Sequence, residues 1–319
     1  MSWAEGPARV LVPATSANLG PGFDALGLAL TLHDEVEARI LPAGLSIEIS
    51  GEGADLAGSG EEHLVVRAMR MAFALMGEQP PGLGLRCLNR IPHGRGLGSS
   101  AAAIVAGLLA ARALSGPAAD KLPDETLLAL ASDIERHSDN VAACLSGGLT
   151  IAWEGPDGPR MVRLEPLPSV TPVVCVAPAP VRTDVARGLL PELIPHRDAA
   201  ANAGRSALLV AALTQPGAGP GVLLDATQDW LHQDHRASAM SHTHALVRDL
   251  RAAGLPAVVS GAGPSVLAFL PARDGPDYRR DLDSLGSVVR ETGIEWHISS
   301  LDVERQGARV LRPESSPDC

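Results

Sequence analysis

A glycine-rich loop that leads into a helix is the part of this sequence best suited to chemistry. Gly94, Gly96 and Gly98 alternate with other residues, and two serines and an alanine-rich apolar run follow at 99–110. Glycine adopts backbone angles closed to other residues and lets the main chain approach an anion. A helix N-terminus adds free N–H donors and the positive end of its dipole. The spacing predicts a phosphate cradle, in which a bulky side chain at position 98 blocks a nucleotide without harming the fold.

Ser99 and Ser100 place two hydroxyl groups at the start of the predicted helix. One of them can cap the helix, which leaves the other for a magnesium ion. No Gly-Lys-Ser/Thr follows, so the loop is not a Walker loop, and the serines after the third glycine distinguish it from a Rossmann fingerprint. We expect a nucleotide and magnesium site of a different kind.

A second polar group lies near the N-terminus. An apolar strand at residues 10–12 runs into a turn rich in glycine and proline, and this turn carries Asn18 and Asp24. Composition alone does not assign the turn a function, because most turns of this kind are only connections.

Together the two segments resemble the GHMP kinases, the small-molecule kinases of galactose, homoserine, mevalonate and phosphomevalonate. The glycine-rich loop is similar to the ATP-binding motif of that family, and residues 12–27 resemble the opening signature of its homoserine kinases. The resemblance implies ATP-dependent phosphorylation of L-homoserine to O-phospho-L-homoserine in threonine biosynthesis. Two alternatives stay open, namely another GHMP kinase such as a threonine kinase, or a non-catalytic ATP-binding protein with a regulatory role.

The resemblance extends to residues 135–141, a dense group of polar residues similar to the family's Glu-Gly-His-Pro-Asp-Asn-Val. Arg136 and Ser138 stand where Gly and Pro are usual. In the family such a carboxylate joins the loop serine on magnesium, and the His and Asn face the acceptor. Carried over, these roles fall to Ser100 and Glu135 for the metal, to His137 for the substrate and to Asn140 for catalysis.

A fourth segment, residues 259–265, is similar to the family's Ser-Gly-Ala-Gly-Pro-Thr motif, with Ser265 in the Thr position. His63 stands where homoserine kinases usually have an Asn that contacts adenine. The resemblance implies that ATP is bound by His63 and by the loop residues Pro92, His93, Gly94, Arg95, Gly96, Leu97, Gly98, Ser99, Ser100, Ala101 and Ala102.

The implied acceptor sets further requirements. Homoserine is a small zwitterion with a primary hydroxyl, so its pocket needs a cation for the carboxylate and an anion or carbonyls for the ammonium. Residues 183–187 and 229–236 resemble family segments whose arginines bind the carboxylate. The implied substrate-binding residues are Asn18, Asp24, His137, Thr183, Arg187, Arg236 and Gly261, and the catalytic ones are Asn18, Asp24 and Asn140. Whether Asp24 is a general base or only binds the substrate stays open.

The rest of the chain indicates a mixture of α and β structure. Alternating apolar residues predict strands at 36–40, 45–49, 83–87, 173–177, 257–260, 265–270 and 295–301. Apolar residues at helical spacing predict helices at 64–73, 99–114, 183–190, 198–213, 241–253 and 276–291. We expect the first two of these strands to be neighbours, and Asn202 to be a structural residue.

Residues 155–159, rich in glycine and proline, form the strongest break near the middle. We therefore predict two domains, residues 1–160 with the ATP site and residues 161–319. The resemblance implies the α+β, two-domain architecture of the GHMP kinases, with an N-terminal α/β domain resembling ribosomal protein S5 and a ferredoxin-like C-terminal domain. The tail at 313–319 is predicted to be disordered.

The composition excludes several classes of protein. A formal net charge of −11 and an aromatic content of 3% argue against nucleic-acid and membrane partners. We find no signal-peptide pattern or membrane-length apolar run, so a cytoplasmic location is expected. The four separated cysteines are predicted to be reduced core or terminal residues. The spacing in the cluster His232, His235, His242 and His244 does not match a metal site. The oligomeric state stays open, with a homodimer as one expectation.

Overall fold

The computed structural model of the protein describes residues 3–217 and 220–311, with the backbone alone at 56–58 and 220. The strands are β1 (Ala8–Ala17), β2 (Leu26–Leu41), β3 (Gly44–Gly51), β4 (Gly82–Asn89), β5 (Leu149–Gly155), β6 (Gly158–Leu164), β7 (Val170–Val176), β8 (Ala257–Val259), β9 (Val266–Pro271), β10 (His297–Ser300) and β11 (Arg309–Leu311). The α-helices are α1 (Leu64–Met76), α2 (Ser99–Leu114), α3 (Asp124–Glu135), α4 (Asp139–Ser146), α5 (Thr183–Arg187), α6 (His196–Thr214), α7 (Pro220–Ala226), α8 (Ser241–Ala252) and α9 (Tyr278–Glu291). Short 3-10 helices span Ala54–Glu62, Gly116–Lys121 and Ala237–Ala239. The tail at 313–319 lies outside the described residues.

The first sheet is built around β2. Its strand order is β11-β1-β2-β4-β3, and β5 joins it by pairing with both β2 and β6. The beginning of β2 pairs with β5 and its end pairs with β4, so one strand of 16 residues serves both branches. This arrangement places the ends of β1 and β2 beside the connections that carry the polar motifs.

The helix that follows the glycine-rich loop, α2, lies at the centre of the first core. It packs against β1 and β2 and against α1, α3 and α4. At Gly107 an added Cβ would lie 2.5 Å from the carbonyl oxygen of Val65, so this glycine lets α1 and α2 approach closely. Small side chains suit a helix surrounded by several elements, which explains the alanine-rich run of its sequence.

One predicted strand pairing is wrong. The strands predicted at 36–40 and 45–49 are not neighbours, because β4 lies between β2 and β3. β4 pairs antiparallel with β2 and parallel with β3. Alternation of apolar residues reports which face of a strand is buried, and it carries no information about the strand's partner.

The other predicted strands and helices are confirmed, although the helix predicted at 183–190 ends at Arg187, and β1 and β2 are longer than predicted. The elements α3, α4, α7, β5, β6 and β11 are not predicted from the sequence. Several of these are short, and a short element shows too few repeats of an apolar pattern to be recognised.

The second sheet, in the order β10-β7-β9-β8, is antiparallel throughout. Its two faces are buried in different cores. Val174 and Leu267 belong to the core shared with the first sheet, whereas Val173 and Val266 belong to a second core together with residues of α8 and α9. The period of two along a strand accounts for this alternation, and the shared core joins the two sheets.

The break predicted at 155–159 is the hairpin turn between β5 and β6, and both of these strands belong to the first sheet. The chain passes to the second sheet after β6 and returns to the first at β11. Residue 160 lies inside β6. The division into residues 1–160 and 161–319 stays a prediction.

Cys87, Cys144 and Cys175 are free and buried, as predicted for reduced core cysteines. Burial raises the pKa of the Cys87 and Cys175 thiols to about 12, and it raises the pKa of Cys144 as well. A thiol with so high a pKa carries little of the reactive thiolate at neutral pH. Cys319 lies outside the described residues.

Neither a membrane-spanning helix nor a cluster of metal-binding side chains occurs in the described part of the chain. Along residues 3–217 and 220–311, no helix combines the length and the apolar character needed to cross a bilayer. The same described residues hold no group of three or more His, Cys, Asp or Glu side chains placed for a metal ion. The magnesium site implied by the resemblance has only two protein ligands, Ser100 and Glu135, so it is of a different type.

Candidate active site

The polar motifs, distant in the sequence, meet around one cavity of about 450 Å³. It lies where the turn after β1, the glycine-rich loop, the end of α3 and the start of α5 come together. All of the predicted substrate-binding, catalytic and metal-binding residues line it: Asn18, Asp24, Ser100, Glu135, His137, Asn140, Thr183, Arg187, Arg236 and Gly261. The assignment of roles to them stays a prediction, but the fold brings every one of them to the same place.

The glycine-rich loop has the backbone that its sequence predicts. Gly94, Gly96 and Gly98 have φ of 64°, 71° and 69°, in the left-handed region. The 259–265 segment packs against the glycine-rich loop. A Cβ at Gly96 would collide with the carbonyl oxygen of Ser260, and the Ser260 hydroxyl donates a hydrogen bond of 2.7 Å to the Gly96 carbonyl. The fourth motif therefore positions the loop.

The predicted serine cap of α2 is wrong. The N-cap residue is Gly98 in the left-handed conformation, and no described side chain makes a capping bond there. The first bond of the helix runs from Ala102 N to Gly98 O at 2.9 Å, so the N–H groups of residues 99–101 have no partner within the helix. The Ser100 hydroxyl instead donates to Glu135 Oε1 at 2.5 Å. Three N–H groups and a hydroxyl–carboxylate pair therefore stand together at the helix N-terminus.

The structure also argues against the expectation that a side chain at Gly98 leaves the fold intact. A Cβ at this position would collide with Thr15 Oγ1, whose hydroxyl donates a hydrogen bond to Asn140 Oδ1 at 2.7 Å. A side chain at position 98 would therefore clash with the protein itself, whether or not a phosphate is bound. Loss of nucleotide binding in a Gly98 variant cannot by itself identify a phosphate cradle.

We therefore expect Gly98→Ala to lower the free energy of unfolding more than a matched variant, Gly254→Ala. Gly254 has φ of 82° and open space around an added Cβ, so its replacement costs only the backbone strain, about 1–2 kcal/mol. Gly98→Ala adds the collision with Thr15. Urea unfolding of both variants measures the difference, and equal losses would show that Thr15 moves aside at no cost.

Glu135 and Arg136 close the end of α3 beside the loop. Arg136, at the position where the family usually has Gly, is the C-cap of the helix with φ of 72°. This left-handed backbone conformation, which glycine adopts most easily, is the physical reason why the family usually has a glycine there. Burial raises the pKa of Glu135, and nearby Asp139 acts in the same direction. A buried carboxylate that is costly to ionise gains much from a cation.

Thr15 is a site residue that the sequence analysis misses. Its hydroxyl fixes the side chain of Asn140 from the end of β1, and Asn140 stands at the start of α4. Asp139, also without a predicted role, is buried, lines the cavity and accepts a hydrogen bond of 2.7 Å from Asn140 N. A threonine in a strand gives no local signal of such a contact, because its partner lies 125 residues away.

Asn18 organises the turn between β1 and β2. It has φ of 66°, its Oδ1 accepts from Asp24 N at 2.9 Å, and its Nδ2 donates to Gly261 O at 2.8 Å. The predicted structural role of Asn202 fits this turn, since its amide donates to Pro21 O at 2.7 Å and accepts from Trp230 N at 3.1 Å. The turn is therefore held from both halves of the chain.

The two predicted arginines differ in their surroundings. Arg187 makes a two-pronged ion pair with Asp24, at 3.0 Å and 2.7 Å, and is partly exposed. Arg236 is 1% exposed, and among the described residues no carboxylate forms an ion pair with it. Its Nε atom is buried without a hydrogen-bond partner in the described structure. Arg236 is thus a buried cation that lines the cavity and forms no ion pair within the described part of the chain.

A second cavity of about 380 Å³ adjoins the first, since Ser99 and Ser100 line both. His63 lies in it, with Nδ1 buried and without a hydrogen-bond partner among the described residues. Burial lowers the pKa of His63, and the nearby charge of His93 lowers it further. An apolar cavity with one free ring nitrogen suits a flat heteroaromatic base.

The predicted nucleotide-binding residues fall into two groups. The two cavities are lined by His63, His93, Gly94, Gly96, Gly98, Ser99, Ser100 and Ala102. Among the described loop positions, Pro92, Arg95, Leu97 and Ala101 line neither cavity. Leu97 and Ala101 are buried in the core, and Arg95 donates to the carbonyls of His93, Ala177 and Pro178, each at 2.8 Å.

The chain is similar to known proteins of one family. Residues 63–148 match the GHMP kinases N terminal domain family. The homoserine kinase of Streptomyces coelicolor is 53% identical over 97% of this chain and 96% of its own length. That of Streptomyces avermitilis is 54% identical over 95% of each chain.

Solved structures give the same result for the fold. The crystal structure of homoserine kinase from Cytophaga hutchinsonii has a TM-score of 0.81 at 26% identity and covers 96% of this chain and 98% of its own. The mevalonate kinase of L. major shares the fold alone, with a TM-score of 0.66 at 15% identity over 96% of this chain and 98% of its own. The predicted α+β, two-domain GHMP-kinase architecture is confirmed, and the chain belongs to the homoserine kinase family of the GHMP kinases.

Proposed function

We propose that this protein transfers the γ-phosphoryl group of ATP to the hydroxyl of L-homoserine, with magnesium, and so makes O-phospho-L-homoserine for threonine biosynthesis. The full-length relatives named homoserine kinase support the reaction. The observation that carries the choice of acceptor is the buried guanidinium of Arg236, which forms no ion pair among the described residues and lies beside the Arg187–Asp24 ion pair. A cytoplasmic location and a homodimer stay predictions.

The cavity offers one partner for each charged group of the proposed acceptor. Arg236 is placed for the carboxylate, since a buried guanidinium without an anion is costly and a carboxylate matches its planar donors. Asp24 is placed for the ammonium, because Arg187 holds its carboxylate in a fixed orientation at the cavity wall. We propose a binding role for Asp24 on this ground.

The hydroxyl end of the acceptor would lie toward the glycine-rich loop. Asn140, fixed by Thr15, and His137 line the cavity between the arginines and the start of α2. Holding the hydroxyl in line with the γ-phosphorus is itself a large part of phosphoryl-transfer catalysis. These side chains would therefore act mainly by orientation.

The chain's own residues fit a nucleotide and a magnesium ion. The free N–H groups at the start of α2 are placed to donate to phosphate oxygens. The Ser100 hydroxyl and the Glu135 carboxylate are oxygen ligands of the kind that magnesium prefers. Magnesium, when bound, neutralises charge on the phosphoryl group being transferred. The cavity at His63 would receive the base.

A coupled assay of ADP release tests the proposal. Purified protein with ATP and magnesium is given L-homoserine, L-threonine or no acceptor, and the product is identified by mass spectrometry. We expect kcat/KM for L-homoserine to exceed that for L-threonine by about tenfold or more, because threonine is an isomer whose hydroxyl is on the β-carbon and cannot reach the same position when its carboxylate and ammonium are bound. A preference for threonine would favour a threonine kinase, and ATP binding with no phosphoryl transfer would favour a regulatory protein.

A further inference from the structure

His232 is fully buried between Arg236 and the turn that joins β1 to β2 and carries Asn18 and Asp24, which we call the acceptor turn. Its Nε2 lies 2.9 Å from the carbonyl oxygen of Gly20, and its Nδ1 lies 3.1 Å from a terminal nitrogen of Arg236. The carboxylate of Asp229 fixes the backbone here by accepting from the N–H groups of Leu231, His232 and Gln233, at 2.8–3.0 Å. Both ring nitrogens of His232 are therefore hydrogen-bonded, and Asp229 fixes the backbone that carries the ring.

The partners of the ring determine which nitrogen carries the proton. A guanidinium has only donors, so Nδ1 of His232 must accept from Arg236. A carbonyl oxygen only accepts, so Nε2 must donate to Gly20. Both bonds can exist together only when His232 is neutral with its proton on Nε2. A charged imidazolium would place an N–H group of His232 against one of Arg236.

The surroundings of His232 favour this neutral form. Burial lowers its pKa, and the charge of Arg236 lowers it further, while Asp229 and Asp24 act in the opposite direction. Asp229 lies 3.8 Å from Nε2, and Asp24 belongs to the acceptor turn. Phe23 stacks on the imidazole with the ring centroids 5.1 Å apart, and Arg236 lies 5.4 Å from the same phenyl centroid.

We propose that His232 is a positioning residue, which as the neutral Nε2–H tautomer holds the Arg236 guanidinium in place for the carboxylate of the acceptor and ties it to the turn that carries Asp24. The inference rests on the proposed function for the identity of the acceptor. His232 itself contacts no substrate in this scheme. It restricts rotation of the guanidinium, since one terminal nitrogen is bound to the ring and the cation lies against Phe23.

Two substitutions separate the two bonds of the ring. In His232→Asn the amide oxygen takes a place near that of Nδ1 and can still accept from Arg236. In His232→Gln the longer amide can reach Gly20 and donate to its carbonyl, and Arg236 loses its acceptor. Both variants remove the imidazole and its stacking on Phe23, so each is the control for the other.

KM and kcat are measured for L-homoserine, for ATP, and for 3-amino-1-propanol, which keeps the ammonium and the hydroxyl and lacks the carboxylate. We expect His232→Gln to raise KM for homoserine about tenfold, the loss of one charged hydrogen bond, with kcat, KM for ATP and kcat/KM for the analogue nearly unchanged. His232→Asn should stay within about threefold of wild type, because the bond to Arg236 is kept. Equal losses in both variants, or equal losses for homoserine and the analogue, would overturn the proposal in favour of a packing role.

The tautomer is tested without substrate by NMR of protein labelled with 15N-histidine. The signals of His232 are identified by their absence in His232→Asn. We expect a protonated Nε2 and an unprotonated Nδ1, unchanged across the pH range in which exposed histidines titrate. A proton on Nδ1 at neutral pH would overturn the proposal whatever the substrate. Failure of the proposed function is seen separately, as a wild-type enzyme that does not prefer homoserine to the analogue.

Discussion

Glu135→Gln should lower kcat by two to three orders of magnitude and leave the protein folded. If Glu135 and Ser100 hold magnesium as proposed, the amide removes the only carboxylate of that pair, and the loss of metal positioning costs about 3–4 kcal/mol of transition-state stabilisation. Gln keeps the size of the side chain, and its carbonyl oxygen can still accept the hydrogen bond that Ser100 now donates to Glu135. The measurement is kcat with ATP and L-homoserine over a range of magnesium concentrations.

The physical state of Glu135 makes this test separable from misfolding. Burial raises the pKa of its carboxyl, which means that the ionised form is disfavoured in the folded protein. Above that pKa the charge lowers the stability of the fold in the absence of a cation, so the neutral amide should keep or raise Tm. A variant with lowered activity and lowered Tm would therefore contradict the assignment as a metal ligand.

Glu48→Gln is a matched control. Glu48 is an exposed carboxylate on β3 that pairs with Arg86, far from the polar motifs. Its replacement should change neither kcat nor the magnesium dependence, since exposed ion pairs contribute little. A Glu135→Gln enzyme with normal turnover at every magnesium concentration would exclude Glu135 from the site, and the metal would then depend on other oxygens.

The parts of the fold that the sequence predicts best are those whose signals are local. The helix α2 and its loop are predicted because Gly98 and the alanine run stand next to each other along the chain. The pairing of β3 with β4 is not predicted, since 30 residues separate Gly51 from Gly82 and the sequence of neither strand identifies the strand with which it pairs. Register and partner are set by the helix and loop that connect them.

In the site, too, residues with a local sequence signal are predicted, and contacts between distant segments are not. Asn18, Asp24, Glu135 and Arg236 are found through motifs, and the fold brings them to one cavity. Thr15 carries no signal of its own, because its role is a contact with Asn140 across 125 residues. The predicted serine cap is wrong for a related reason, since the partly buried carboxylate of Glu135, from another helix, accepts the hydrogen bond of the Ser100 hydroxyl. Side-chain partners from distant segments decide such details.

The second large effect is expected at Arg236. Arg236→Met should raise KM for L-homoserine about ten- to a hundredfold, the equivalent of about 1.5–3 kcal/mol of lost charged hydrogen bonding. KM for ATP should hardly change, because the residue lies at the acceptor end of the cavity. Methionine approximates the length of the arginine stem and carries no charge. Arg280→Met, at an exposed position on α9, is the matched control and should have no effect on KM.

Stability and substrate choice distinguish this assignment from a structural one. Arg236 is buried, with no described carboxylate paired to it and with an unpartnered Nε, so replacing it by an apolar side chain should lower the free energy of unfolding by no more than about 1–3 kcal/mol, the cost of leaving Nδ1 of His232 without its donor. The wild type should discriminate strongly against 3-amino-1-propanol, and Arg236→Met should discriminate much less, since its carboxylate contact is already gone. Arg187→Met should show a mixed effect, because it also frees Asp24 from its ion pair. If Arg236→Met kept the full preference for homoserine, the carboxylate would have to bind elsewhere, and His232 and Phe23 would remain the described partners of the buried guanidinium.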